Sequence, residues 1–178
     1  QGKVTQWSVN DSPAGLSVTD QYNVLVTCYE VRKLKVFTTL GKQLRVISLQ
    51  SDIVHPVHAI QLSSGQFVVC HDQSDDPVRS VCKVDVNGHI LQSYSDSSTT
   101  GQQLAWPCHL AVDVDEFIFV ADYSNRQVLL LSPTLSYVRQ VVSRDQLEWA
   151  GPWRLCLDVN SRRLYVAAND GRVAVVSW

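Results

Sequence analysis

Short apolar runs separated by polar turns recur along the whole chain, and four of them open on a proline. They are PAGLSVT from Pro13, PVHAIQL from Pro56, PCHLAVD from Pro107 and PWRLCLD from Pro152. The prolines are spaced by roughly 45 residues, a period that signals a repeat architecture. Each first run leads through a polar turn (20–23, 63–66, 113–116, 160–163) into a second: VLVT (24–27), FVVC (67–70), IFVA (118–121) and LYVA (164–167). Two such runs around a short turn predict a β-hairpin. A third run follows a variable loop: LKVF (34–37), VCKV (81–84), VLLL (128–131) and VAVV (173–176). A fourth, more polar and alternating, closes the first three copies: LRVISL (44–49), ILQSYS (90–95) and YVRQVV (137–142). These runs are of strand length and rich in β-branched and aromatic residues.

The pattern predicts an all-β fold, a β-propeller of four four-stranded blades near 13–50, 56–95, 107–143 and 152–178, forming one domain over 1–178. The fourth copy stops after its third run, whereas residues 3–9, KVTQWSV, carry the fourth-strand pattern ahead of the first copy. The expectation is therefore that the N-terminal strand completes the last blade beside Val173 to Val176, which removes an open sheet edge.

Composition narrows the possibilities. With 178 residues, 45% of them hydrophobic, the chain is of ordinary globular size and needs neither disulfides nor metal to hold a core. No apolar run approaches the roughly 20 residues of a membrane-spanning helix. The absence of Met and the opening Gln1-Gly2-Lys3 are what a segment of a longer or processed protein shows. Five scattered cysteines form no framework; four of them lie in apolar runs such as FVVC (67–70) and RLCL (154–157), where a thiol acts as a small buried hydrophobe. Free thiols point to a reducing, cytoplasmic location.

The third copy, WPCHLAVDVDEFIFVADYSNRQVLLLS (106–132), resembles an NHL repeat, whose pattern runs proline, small residue, Leu-Ala-Val-Asp, turn, Val-Ala-Asp, Asn-x-Arg and then alternating apolar positions. The fourth copy keeps Leu157-Asp158 and Leu164 to Ala168 but has Asp170-Gly171-Arg172 in place of Asn-x-Arg, and the first two keep the apolar skeleton. The resemblance implies a propeller usually of six blades. It also implies one of two roles: recognition of a protein or RNA, as at the C-terminus of TRIM-NHL ubiquitin ligases, or catalysis, as in the peptide-amidating lyase with its zinc and calcium. Any ligase activity would belong to other domains of a parent protein.

Loops between blades and between second and third strands share one face of a propeller, and loops carry function. On that face seven basic residues stand against eleven acidic ones, the wrong sign for a phosphate binder. Arg32, Arg79, Arg126 and Arg172 recur just before each third strand; the resemblance implies that such an arginine ties its blade to an acid such as Asp122. Trp106, Tyr123, Trp149 and Trp153 fall on or beside the same face together with Arg154, and Trp and Tyr are frequent interface anchors as well as stacking platforms for bases. His58 and His109 share one repeat position, two after the proline, and two imidazoles near one axis are weak candidates for a metal. Gly15 and Arg154 fill that position in the other copies, and a cation opposes a zinc ion. No phosphate loop, nucleophile elbow or zinc-binding helix motif is present.

These observations predict a non-catalytic recognition module without a cofactor. Its partner is expected to be a protein or peptide held by Arg32, Arg79, Trp106, Tyr123, Arg126, Trp149, Trp153 and Arg154. Single-stranded RNA binding and a metal-dependent lyase are the alternatives, and oligomerisation is expected if four blades do not close.

Overall fold

The structure is a computed structural model in which residues 4–71, 79–94, 103–147 and 150–178 are described. Four antiparallel sheets succeed one another as propeller blades. Blade 1 contains β1 (Pro13–Val18), β2 (Val24–Cys28), β3 (Lys33–Phe37) and β4 (Gln43–Ser48). Blade 2 contains β5 (Pro56–Gln61), β6 (Phe67–His71), β7 (Ser80–Val84) and β8 (Ile90–Tyr94). Blade 3 contains β9 (Pro107–Val112), β10 (Ile118–Asp122), β11 (Gln127–Leu131) and β12 (Tyr137–Val142). Blade 4 contains β13 (Pro152–Asp158), β14 (Arg163–Ala168) and β15 (Val173–Ser177). A single-turn helix, α1 (Arg144–Leu147), lies between blades 3 and 4.

All four repeat prolines open an inner strand. Each inner strand then carries the same irregularity in register, between Pro13 and Gly15, Pro56 and His58, Pro107 and His109, and Pro152 and Arg154. A bulge adds one residue to its strand and re-aims the neighbouring side chain. The residues two after the proline, Gly15, His58, His109 and Arg154, all line one pocket.

The core consists of three inter-blade layers. Leu25, Leu34 and Ile47 of blade 1 meet Phe67, Val69 and Val84 of blade 2. Val68, Cys70 and Val81 of blade 2 meet Leu110, Val120 and Leu129 of blade 3. Phe119, Val128 and Leu130 of blade 3 meet Leu155, Leu164 and Val166 of blade 4. The period-2 alternation of each strand supplies one face to each neighbour.

Closure is a correction to the sequence reading. Blade 4 has three strands among the described residues, and residues 4–9 belong to no strand. That segment lies across blade 1 instead, where Trp7 packs on Phe37 with ring centroids 4.8 Å apart and Val9 joins Val24, Val26 and Cys28. An indole finds a better apolar seat over Phe37 and the Gly41 turn than a polar alternating segment finds along an edge strand. The inner strands pack in the order β1, β5, β9, β13, with no comparable packing from β13 back to β1. The cysteines also differ from expectation: Cys28, Cys70, Cys82 and Cys108 are buried, but Cys156 is exposed, because none of the described residues covers its face of blade 4.

Candidate functional site at the channel mouth

The inner strands of all four blades converge on a pocket of about 220 Å³ lined by Ala14, Gly15, Leu16, Val57, His58, Cys108, His109 and Arg154. Gly15, His58, His109 and Arg154 are the four re-aimed bulge positions. Gly15 has to be small, since a Cβ there would stand 2.6 Å from the Val57 carbonyl oxygen and 3.0 Å from the His58 ring.

The two imidazoles stack with centroids 4.0 Å apart. His58 Nδ1 accepts the Leu110 amide of blade 3 at 3.3 Å, and its Nε2–H donates to the Leu16 carbonyl of blade 1 at 3.2 Å. One side chain thus joins three blades, and the two bonds fix the neutral Nε2–H tautomer. His109 repeats half of the motif, with Nδ1 accepting the Leu155 amide of blade 4 at 3.3 Å. Burial lowers the pKa of His58 to about 4, opposed by the Leu16 hydrogen bond and assisted by Arg154. Burial, then His58 and Arg154, lowers that of His109 to about 3. Both rings are neutral at physiological pH.

This geometry does not fit a metal centre. His58 has no nitrogen lone pair left, His109 keeps only Nε2–H, and Arg154 is the sole charged residue among those lining the pocket. His58 and His109 act as inter-blade clamps, each accepting an amide hydrogen bond from the following blade. Burial also raises the thiol pKa of Cys82 and Cys108 to about 12, which keeps both protonated and unreactive.

Beside the channel mouth, Trp106, Tyr123 and Trp153 form a cluster of edge-to-face contacts with centroids 5.2, 6.2 and 5.6 Å apart. The Arg79 guanidinium lies 5.5 Å above the Trp106 ring and that of Arg154 lies 4.8 Å above Trp153. Cations over indole faces are attracted by the ring quadrupole. Arg79 also donates to the Ala105 carbonyl, Arg154 to that of Trp153 at 2.8 Å, and Asn169 to the Tyr123 hydroxyl at 2.7 Å. The rings are half-buried while Arg154 is exposed.

Arg32 and Arg126 are not part of this cluster. Arg32 donates to Ser51 O in the linker leaving blade 1 at 3.4 Å. Arg32 and Arg126 both occupy left-handed backbone positions, with φ of 52° and 54°, so these two arginines sit in turns. Asp122 is fully buried and is held by amides where the resemblance implied Arg126: the backbone of Ala105 and Trp106 at 3.1 and 2.7 Å, Asn125 at 2.7 Å and Gln127 at 3.1 Å. Trp149 lies outside the described residues. Sequence reasoning missed Trp178, whose indole packs edge-on against Phe119 at 4.9 Å; its terminal position offered no repeat register to read.

No family model and no curated protein matches the chain. Solved structures do. The chain is similar to a streptogramin B lyase at TM-score 0.61 and 12% identity, covering 98% of this chain and 57% of that one. It is similar to virginiamycin B lyase from Staphylococcus aureus at 0.58 and 11%, covering 92% and 55%, and to BamB from Moraxella catarrhalis at 0.58 and 18%, covering 96% and 48%. The chain thus spans about half the length of the structures it matches, and the likeness establishes the β-propeller fold. The expectation that the chain is not an enzyme is overturned as a reading of its architecture, because two of these structures are lyases. At such identities the likeness assigns no reaction.

Proposed function

We propose that the chain is a recognition propeller that binds a peptide segment of a protein partner at the channel mouth. The carrying observation is the exposed Arg154 guanidinium, seated on Trp153 and reaching the channel lining. It offers an acidic side chain or a C-terminal carboxylate a charged donor beside a rigid aromatic wall. Trp and Arg are the side chains that most often dominate interfaces, and half-buried rings already packed together lose little freedom on binding. The His109 Nε2–H adds a neutral donor at the same mouth.

The NHL-type character of the blades belongs to the same proposal and rests on the third repeat. Residence in a reducing compartment rests on the five free thiols. An RNA ligand is disfavoured by the acidic loop balance and by the carbonyl oxygens that engage Arg32 and Arg79.

The test is selection of a random displayed-peptide library against the chain, followed by titration of the selected peptides into wild type and Arg154→Ala. The expected result is a carboxylate-bearing consensus whose affinity falls by about tenfold or more in the variant, as for an interface hot spot. Peptides bound equally well by the variant would contradict the proposal.

A further inference from the structure

A second pocket lies on the loop face of blade 3. It measures about 340 Å³ and is lined by four side-chain amides, those of Gln103, Asn125, Gln127 and Gln140, together with the Arg144 guanidinium. It shares no lining residue with the pocket at the channel mouth. Its size is at the lower end of the range for small-molecule sites.

Donor and acceptor roles in this pocket are set from the core outward. Asp122 is fully buried, and both of its carboxylate oxygens receive N–H donors: the Ala105 and Trp106 amides, Asn125 Nδ2 at 2.7 Å and Gln127 Nε2 at 3.1 Å. A carboxylate filled in this way only accepts, so Gln127 points its NH₂ group at Asp122 and keeps Oε1 for the other side. That oxygen accepts Gln140 Nε2 at 2.7 Å, which leaves Gln140 Oε1 for the pocket. Asn125 commits both amide hydrogens, one to Asp122 and one to the Gln103 carbonyl at 2.7 Å, so it too keeps only its oxygen. Amides that donate toward a carboxylate are polarised into stronger acceptors. The pocket thus offers two polarised carbonyl oxygens, neither with a protein partner among the described residues. Arg144 supplies the opposite character: it is exposed, and no described residue pairs with its guanidinium.

We propose that this pocket binds a free α-amino acid, its ammonium group on Asn125 Oδ1 and Gln140 Oε1 and its carboxylate on Arg144. Two acceptors backed by a buried carboxylate favour a cationic donor, and a guanidinium favours a carboxylate. An α-amino acid carries both groups on one carbon. The lining includes no aromatic ring on which a base could stack. Its apolar part is Ala105 and Leu104, the latter only 2% exposed, so the ligand is small and strongly polar.

Titration of the chain with free L-amino acids, one at a time up to millimolar concentration and followed by ligand-observed NMR, tests this. At least one is expected to bind. N-acetylation of that amino acid, its C-terminal amidation, and Arg144→Ala in the chain should each weaken binding by about tenfold or more. Amidation and Arg144→Ala together should lose no more than either alone, because they remove the two halves of one contact; a merely structural role of Arg144 would make the losses add. The circular dichroism spectrum of the variant should match wild type, since the side chain is exposed. No binding by any amino acid, an acetylated form that binds as tightly as the free one, or additive losses would each overturn the proposal.

Discussion

The third strands of blades 3 and 4 read almost alike, QVLLL in β11 and VAVVS in β15, yet every residue of β11 is buried while β15 alternates between exposed and half-buried. Position in the series makes the difference. The first strand lies between two neighbouring blades and has an outer partner, β12; among the described residues the second has one neighbouring blade and no outer partner. A sequence pattern specifies which faces a strand can bury, and the neighbours decide which of them are buried.

The largest separation between the two regions is expected from truncation of their core positions. Leu129→Ala in β11 removes a fully buried side chain and is expected to cost about 2–5 kcal/mol. Val175→Ala in β15 should stay within about 0.5 kcal/mol in the single chain. Denaturant titration checks both, and equal losses would erase the contrast.

Next is the buried acid of blade 3. Asp122→Ala strands the Gln127 amide in the core and frees the Ala105 and Trp106 amides, which are half-buried and partly reach water. A loss of about 1–3 kcal/mol follows, with thermal unfolding as the readout.

The histidine clamps give a pH signature. Both folded-state pKa values lie below the ordinary 6.5, so the unfolded chain binds protons that the folded chain refuses. Their contribution is fully present above about pH 6.5 and is lost as pH falls through 6 and 5 toward 4. His58 alone sets a slope of up to about 1.4 kcal/mol per pH unit in that window. Chemical unfolding from pH 7.5 to 4.5 should show a shallower slope in His58→Gln than in wild type; parallel slopes would contradict the clamp.

The smallest effect belongs to blade 4. Asp170 pairs with Arg172 at 2.8 Å in a largely exposed turn, so Asp170→Ala should change stability by less than about 1 kcal/mol.

Much of the fold was legible from sequence. The prolines mark the first residue of all four inner strands, and the apolar runs locate the other strands to within a residue or two, because a proline that starts a strand and a period-2 run that spans it are local signals. Four blades, a shared loop face and the grouping of Trp106, Tyr123, Trp153 and Arg154 followed from the repeat alignment. The site of residues 4–9 did not. KVTQWSV has the alternating pattern of an outer strand, yet residues 4–9 form none, and Trp7 seats the segment on blade 1 through a tertiary contact with Phe37. Cys156 was misread for a related reason: its run is apolar, but burial of that face needs a neighbouring blade, and none of the described residues covers it. The histidines were found by repeat position, whereas their bonds to Leu16, Leu110 and Leu155 depend on a bulge that leaves no mark in composition.

Hydrogen exchange, read strand by strand, tests most directly the claim that neighbouring blades, more than strand pattern, decide what is buried. The account predicts strong protection in β10 and β11, which are buried throughout and paired on both sides, and weaker protection in β15, which alternates between exposed and half-buried. Equal protection of β11 and β15 would contradict it.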